Sequence, residues 1–296
     1  MNKKKILLDT DIGGDIDDAF CLAYLLANPE CELLGITTVS GEAEKRAMMA
    51  SALCYASGKD IPIYPGIEEP LFTEQKQAIA HQAIRLNNWE YKDKFEKGYA
   101  IEFLRKIIRE NPNEITLLGI GPLTNIAVLF MVDPEIPSLL KELVLMAGYF
   151  DNENNIKENN WNVLCDPYAA YKVYSADVKL LKSVSFDVTQ KVKMNLSEID
   201  KKISDINSSK SDILKVVLDF ASVESNHEVT FHDPLTAVTI FNNNVCTFAK
   251  GRVTISLKDE SFSDTLWEPD NLGTHELALT VDSQLFFNEY FSVFNI

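Results

Sequence analysis

Five aspartates stand within ten residues near the start of the chain, at Asp9, Asp11, Asp15, Asp17 and Asp18. Carboxylates this close raise one another's pKa, so the cluster predicts either a shared proton or a bound cation. Ligands that are all oxygens favour a hard ion, Ca²⁺ or Mg²⁺. A plainer interpretation is also open, because one or two of these acids could simply cap a helix, whose N-terminal dipole favours negative charge.

Two familiar uses of closely spaced aspartates can be compared with this cluster. An EF-hand loop is excluded, because the fifth and twelfth positions counted from Asp9 are Gly13 and Phe20, which cannot ligate through a side chain. A phosphohydrolase of the dehalogenase type is the other use, with Asp9 as nucleophile, Asp11 as general acid and Mg²⁺ as cofactor. The spacing alone leaves this second alternative open.

The elements around the cluster alternate between strands and helices. An apolar run at Lys5–Leu8 precedes the aspartates, and Asp17–Ala27 has apolar residues at helical spacing. Further strands are predicted at 32–39, 62–64, 115–119, 143–147 and 184–188, and helices at 42–57, 96–110 and 123–131. This alternation predicts one α/β domain over residues 1–296, with a mostly parallel, Rossmann-like central sheet flanked by helices. Ligands of such sheets bind beyond the carboxyl ends of the strands, where polar residues follow Leu8, Leu118 and Ala147.

The chain is acidic, with 28 lysines and arginines against 44 aspartates and glutamates and a formal net charge of −16. Phosphate backbones and anionic lipids repel such a charge, so neither a nucleic acid nor a membrane is expected as a partner. Only Ile6, Leu7 and Leu8 precede the first aspartate, an apolar run too short for a secretory signal. The five cysteines lack CxxC spacing and are expected to be buried and reduced, which predicts a cytoplasmic protein.

Several short motifs follow one another along the chain. They are the loop from Asp9 to Ala19, then Ile36–Val39, Gly121–Ala127 and His232-Asp233-Pro234, and more weakly Met146–Gly148, Trp161-Asn162 with Asp166-Pro167, and Thr280–Asp282 with Phe286-Phe287. Together they resemble the motifs of the nucleoside hydrolases, the inosine–uridine-preferring N-ribohydrolase family. The aspartate loop is longer by two residues than the family's Asp-x-Asp-x-Gly-x-Asp-Asp-Ala, which resembles one bacterial branch.

The resemblance implies the nucleoside hydrolase fold and the Ca²⁺-dependent hydrolysis of the N-glycosidic bond of a ribonucleoside, which gives free base and ribose. Asp11 would be a Ca²⁺ ligand and the general base that activates water. Asp18 and Asp233 would be the other carboxylate ligands, together with the backbone carbonyl of Ile120. The positive charge that develops on the ribose in such a reaction suits a pocket lined by carboxylates.

Contacts with the substrate are implied as well. Asp17 and Asn162 would each hold a ribose hydroxyl, and His232 is the candidate acid for the departing base, since histidine titrates near neutral pH. The alternative for His232 is a histidine satisfied in the core. The other expected substrate-binding residues are Glu42, His81, Met146, Asn154, Asn160 and Trp161.

Three departures from the family pattern concern the substrate. Asn160-Trp161-Asn162 stands where the family often has Glu-Phe-Asn, with the glutamate on the 5′-hydroxyl. Gly41-Glu42 replaces the usual Gly-Asn and is offset from it by one residue. His81-Gln82 replaces a His-Gly and precedes a segment that would form an unusual lid on the base side, with Arg85, Asn87, Asn88 and Trp89.

These departures bear on which molecule is bound. Trp89 and Trp161 could each stack on a nucleobase or pack as ordinary interior residues. A nucleoside other than inosine or uridine is favoured, and a modified purine nucleoside such as queuosine is one candidate. A non-catalytic nucleoside-binding member of the family is a further alternative, to which Asn160 lends weight. Since members of the family are commonly dimers or tetramers, a homodimer or homotetramer is expected.

Overall fold

A computed structural model describes residues 3–150, 160–206, 210–223 and 228–295. Its strands are β1 (Lys4–Thr10), β2 (Cys31–Thr38), β3 (Ile63–Pro65), β4 (Ile115–Gly119), β5 (Glu142–Leu145), β6 (Leu181–Ser183), β7 (Lys193–Asn195), β8 (Glu228–Thr230), β9 (Cys246–Ile255), β10 (Thr265–Pro269) and β11 (His275–Val281). Its helices are α1 (Asp17–Ala27), α2 (Ala43–Ala56), α3 (Ala100–Glu110), α4 (Thr124–Val132), α5 (Ile136–Leu139), α6 (Trp161–Cys165), α7 (Pro167–Tyr174), α8 (Phe186–Thr189), α9 (Leu196–Ser204), α10 (Ser211–Ala221), α11 (His232–Phe241) and α12 (Ser283–Ser292).

The large sheet has the strand order β10-β9-β11-β6-β5-β4-β1-β2-β3. Every neighbouring pair from β11 to β3 is parallel, and only β9 pairs antiparallel, with β10 and β11. The strands β7 and β8 form a separate antiparallel pair. The prediction of one α/β domain with a mostly parallel sheet is confirmed.

The interior strand β1 shows why the sheet is covered on both faces. Ile6, Leu7 and Leu8 of β1 are all fully buried. Ile6 and Leu8 join one hydrophobic cluster, with residues of α1, α10 and α11, whereas Leu7 joins a second cluster with residues of α3, α4 and α7. Successive side chains of a strand point to opposite faces, so this unbroken apolar run places β1 between two layers of helices.

Two of the predicted strands differ from the structure. The prediction of a strand at 184–188 is wrong, because β6 has already ended at Ser183 and a helical turn, α8, begins at Phe186. Val184 makes the last hydrogen bond to β5, from its N–H to the carbonyl of Leu145 at 2.9 Å, and beyond it β5 offers no further partner. The strand predicted at 143–147 is Glu142–Leu145, so Met146 and Ala147 belong to the following loop.

The carboxyl ends of β1, β4 and β5 lie side by side. Asp9 pairs in register with Gly119, and Gly119 pairs with Leu145. The residues that follow these strands, Asp11, Ile120 and Met146, therefore emerge at one edge of the sheet. This arrangement agrees with the predicted position of the ligand.

Two further observations concern the cysteines and the helices. All five cysteines are free and buried. In the part of the chain that the structure describes, no helix is long and apolar enough to cross a membrane.

Candidate active site

A cavity of about 700 Å³ opens at the carboxyl edge of the sheet. Five carboxylates line it, those of Asp11, Asp15, Asp17, Asp18 and Asp233. The same cavity is lined by most of the residues expected to meet a substrate or metal, namely His81, Ile120, Met146, Asn160, Trp161, Asn162 and His232. One pocket thus collects residues from distant parts of the sequence.

The ends of two helices bring three of the carboxylates together. Asp17 and Asp18 begin α1, and Asp233 is the second residue of α11, so each lies where the helix dipole favours negative charge. Oxygens of the three side chains lie within 4.8 Å of one another. The backbone N–H of Asp233 donates to Oδ2 of Asp17 at 3.2 Å, and the Thr10 hydroxyl donates to Oδ1 of Asp18.

Burial raises the pKa of Asp17, Asp18 and Asp233 well above the usual range of aspartate, and repulsion between the carboxylates raises it further. A buried group of acids is stable in its charged form only beside a cation. The side-chain atoms of this group that could ligate a metal are all carboxylate oxygens, which suit a hard divalent ion. Asp17, Asp18 and Asp233 are therefore the residues that could hold a metal.

Asp11 lines the same cavity but stands outside this group of three. Its Oδ2 accepts a hydrogen bond from Nε2 of Gln77 at 2.7 Å. Burial raises the pKa of Asp11, while the positive charge of Arg46 and the bond from Gln77 act in the opposite direction. The carbonyl of Ile120 accepts a bond from Nδ2 of Asn162 at 2.9 Å. The metal-ligand roles of Asp11 and Ile120 stay predictions.

Two asparagines shape the opposite wall. Nδ2 of Asn162 donates to the carbonyls of Ile120 and Met146, both at 2.9 Å, which leaves its Oδ1 as the polar atom free for a ligand. Nδ2 of Asn160 donates to the carbonyl of Ser263 at 2.9 Å, whereas its buried Oδ1 has no partner among the described residues. Since an unpaired buried acceptor is unfavourable, Oδ1 of Asn160 is a ready site for a donor on a bound molecule.

His232 is held tightly by its neighbours. The sequence led us to expect that it titrates near neutral pH, and the structure differs from this expectation. Its ring stacks on Phe186 at 5.4 Å between centroids, and its Nδ1 lies 2.7 Å from the Thr189 hydroxyl. Burial lowers the pKa of His232 to about 4, so the ring is neutral at neutral pH. The Thr189 hydroxyl donates to Nδ1 when the ring proton is on Nε2 and accepts from Nδ1 in the other tautomer.

A segment that no sequence motif marks lines another side of the cavity. Residues 75–80, called the strap below, contribute four of its lining residues, 76–79. Arg46 of α2 is fully buried and donates to the carbonyls of Gln77 at 3.3 Å, Gly41 at 2.8 Å and Ile12 at 3.1 Å, and also to that of Asp11. A single side chain thereby ties the strap to the aspartate loop.

Two of the expected or possible substrate residues are placed elsewhere. Glu42 does not line the cavity, because its Oε2 accepts the N–H of Ala80 at 3.0 Å and its Oε1 pairs with Lys45. Trp89 packs against the core and donates to Asp219 at 2.8 Å, so it does not form a base-side lid. Asn154 lies outside the described residues.

Comparison with known proteins identifies the family. A profile described as inosine-uridine preferring nucleoside hydrolase matches residues 6–288. The chain belongs to this family. An inosine-uridine preferring nucleoside hydrolase of Leishmania major is 30% identical over 86% of this chain and 84% of its own length. A probable uridine nucleosidase of Arabidopsis thaliana is 30% identical over 84% and 81%.

Solved structures of nucleoside hydrolases share the fold. A purine-preferring ribonucleoside hydrolase from Gardnerella vaginalis superposes with a TM-score of 0.82 at 22% identity, covering 99% of this chain and 98% of that one. A plant nucleoside hydrolase gives a TM-score of 0.81 at 23% identity, with 99% of each chain covered. The predicted family and nucleoside hydrolase fold are confirmed.

Membership of the nucleoside hydrolase family removes the support for a dehalogenase-type phosphohydrolase, and the geometry agrees. Asp9, the nucleophile of that alternative, does not line the cavity. Its Oδ1 accepts from the Thr37 hydroxyl at 2.5 Å and from Nδ2 of Asn125 at 2.7 Å. Burial raises the pKa of Asp9 to about 7. Asp9 thus ties β1 to β2 and α4 and is not exposed to a substrate.

Sequence reasoning missed Gln77 and Arg46. Arg46 carries a signal, because it stands on the face of α2 that Ala43 and Ala50 bury, and a cation on such a face must find acceptors inside the protein. Gln77 carries none, since its side-chain partners Asp11 and Trp161 are 66 and 84 residues away.

Proposed function

We propose that this nucleoside hydrolase family member cleaves the N-glycosidic bond of a ribonucleoside, with Ca²⁺ as its metal, and releases free base and ribose. The observation that carries the proposal is the group of buried carboxylates of Asp17, Asp18 and Asp233 in one cavity with Asp11 and His232. No cation of the described chain lines that cavity apart from the exposed Lys76, so the acids call for a bound ion.

The residues divide the chemistry between the two ends of the scissile bond. The chemistry that a bound Ca²⁺ supplies is a lower pKa for the attacking water. Asp11 accepts a proton from that water as its oxygen bonds to C1′ of the ribose. The carbon–nitrogen bond breaks, and its electron pair stays on the nitrogen of the base. With its ring proton on Nε2, the neutral His232 donates a hydrogen bond to the departing base. The base takes up a proton from solvent, to which Asp11 releases the proton that it accepted.

The remaining contacts bind the sugar and the base. Asp17 and Oδ1 of Asn162 hold ribose hydroxyls. The unpaired Oδ1 of Asn160 accepts a hydrogen bond from a hydroxyl, at the position where the family often has a glutamate. Negative charge around the sugar stabilises the oxocarbenium-like transition state. The flat faces of Trp161 and Phe186 line the cavity and suit an aromatic base.

The preferred base is a separate part of the proposal. Relatives are named for different bases: a uridine nucleosidase in Arabidopsis thaliana, a pyrimidine-specific hydrolase in Escherichia coli and a purine-preferring hydrolase in Gardnerella vaginalis. Asn160 in place of glutamate favours a nucleoside other than inosine or uridine, with queuosine as one candidate. We also expect a cytoplasmic homodimer or homotetramer, which light scattering of the purified protein would check.

A nucleoside panel tests the activity. Protein treated with EDTA and then supplied with Ca²⁺ is incubated with the four common ribonucleosides, inosine and queuosine, and reducing sugar and free base are measured. We expect ribose and base in equal amounts, lost with EDTA and with Asp11→Ala, and retained in Asp259→Asn, which changes an exposed acid outside the cavity. Nucleoside binding without any release of ribose would instead support the non-catalytic alternative, and phosphate release from p-nitrophenyl phosphate would support a phosphohydrolase.

A further inference from the structure

The side chain of Gln77 lies between Asp11 and Trp161. Its Nε2 donates to Oδ2 of Asp11 at 2.7 Å, and its Oε1 accepts from Nε1 of Trp161 at 2.7 Å. A carboxylate only accepts and an indole N–H only donates, so the amide satisfies both partners in one orientation and neither when flipped. The two contacts therefore fix the direction of the amide.

The other oxygen of Asp11 is also confined. A Cβ added to Gly121 would lie 2.7 Å from Oδ1 of Asp11, so only a glycine after β4 lets the carboxylate approach the backbone this closely. With Gly121 against one oxygen and Gln77 bonded to the other, the carboxylate has little freedom to rotate. Confinement of this kind is what places a general base within reach of a proton.

The main chain of Gln77 is held independently of its side chain. Arg46 binds the Gln77 carbonyl, and the N–H of Ala80 binds Oε2 of Glu42 at 3.0 Å. The strap also lies so close to Gly41 that an added Cβ there would be 2.5 Å from the backbone of Ala78. Replacing only the Gln77 side chain should therefore leave the strap in place.

We propose that Gln77 is a positioning residue for the hydrolysis, which orients the Asp11 carboxylate and is itself oriented by Trp161. The inference rests on the proposed function, in which Asp11 is the general base. The strap thus contributes to the reaction as well as to the wall of the cavity. Trp161 acts on the general base, Asp11, through Gln77, in addition to any contact that it makes with the nucleobase.

Four variants separate these effects. Gln77→Met removes both hydrogen bonds at similar length, and Gln77→Glu keeps an acceptor for Trp161 but sets a second carboxylate against Asp11. Trp161→Phe keeps an aromatic ring and removes the N–H. Glu74→Gln is the matched control, because Glu74 is exposed and lies just outside the strap. The kcat and KM of each are measured with Ca²⁺ and the best nucleoside of the panel, together with urea unfolding and tryptophan fluorescence.

In Gln77→Met we expect kcat to fall about 10- to 100-fold, the size of a charge-assisted hydrogen bond, while KM changes less and the unfolding midpoint stays close to that of Glu74→Gln. Gln77→Glu should lose at least as much, although it is nearly isosteric. Trp161→Phe should lower kcat in the wild-type background but not further in Gln77→Met. The emission of Trp161 should shift in Gln77→Met without substrate, and this shift should vanish when Trp161→Phe is added.

The outcomes distinguish this inference from the proposed function. If the wild type releases ribose and the kcat of Gln77→Met is within twofold of Glu74→Gln, Gln77 does not position Asp11. Additive losses of kcat in the double variant, or full activity in Gln77→Glu, would equally overturn the inference and leave the hydrolase intact. If the wild type itself releases no ribose from any nucleoside, the proposed function fails and this inference fails with it.

Discussion

Replacing Arg46 with methionine should lower the free energy of unfolding by about 3–5 kcal/mol, the range for breaking a buried charged interaction from one side. The guanidinium makes hydrogen bonds to four backbone carbonyls, and those of Asp11, Ile12 and Gly41 belong to buried residues. Each carbonyl left unpaired costs about 1–3 kcal/mol, and the sum is partly offset because no guanidinium then has to be buried. The carboxylates also lose the nearby charge that favours ionised Asp11 and Asp18.

Urea denaturation, monitored by circular dichroism at one fixed Ca²⁺ concentration, measures this decrease in the free energy of unfolding. Arg46→Lys keeps the charge but cannot bond several carbonyls with a planar fork, so we expect an intermediate loss. Arg252→Met is the control, because Arg252 is 65% exposed and its only ion pair, with Asp270, spans 3.9 Å in the described structure. If Arg46→Met is as stable as Arg252→Met, Arg46 does not hold the strap and the aspartate loop together.

Three further predictions concern the metal, the leaving group and stability in acid. Asp233→Asn should weaken Ca²⁺ binding at least about 100-fold in calorimetry, because it removes one charge from a site of three carboxylates; unchanged affinity would place the metal elsewhere. His232→Gln should lower kcat about 10²- to 10³-fold, because it displaces a hydrogen-bond donor to the departing base. Thr189→Val should lower it less, since Thr189 only orients the ring, and a larger effect of Thr189→Val would contradict that order. His275 is buried, accepts the N–H of Val253 at 2.9 Å, and burial lowers its pKa from 6.5 to about 4. Below pH 6.5 the unfolded chain takes up a proton at this histidine more readily than the folded protein does. The contribution of His275 to the free energy of unfolding is therefore complete above pH 6.5 and should decline by up to about 3 kcal/mol as pH falls towards 4. Urea titrations should show the difference between wild type and His275→Gln shrinking over that range, and a constant difference would refute the assignment.

The parts of the site that sequence reasoning predicted are local in sequence. Asp17 and Asp18 begin a helix directly after a buried strand and a glycine turn, and Asp233 stands next to a proline in the first turn of a helix. Such signals need only a few neighbouring residues, because strand, turn and helix start are set by the chain nearby. The parallel sheet was predictable for the same reason, from buried runs such as Ile115–Gly119.

The parts that were missed depend on partners far away in the sequence. Val184, Phe186 and Val188 alternate like a strand, yet they form a turn because the neighbouring strand β5 has ended. Glu42 stands in a family motif position, but its carboxylate is used by Ala80 and Lys45. The antiparallel strands β9 and β10 were not predicted, since the pairing of an edge is decided by tertiary contacts.

The way the strap is anchored leaves the side chains next to Gln77 free to diverge. Arg46 binds carbonyl oxygens, Glu42 binds an amide N–H, and Gly41 contacts main-chain atoms, so the anchors recognise backbone groups that all residues except proline share. Substitutions at Lys76, Ala78 or Ile79 would thus change the side chains that line the cavity and leave the backbone of the strap in place. For protein engineering, these three positions are natural places to randomise when a new substrate preference is wanted.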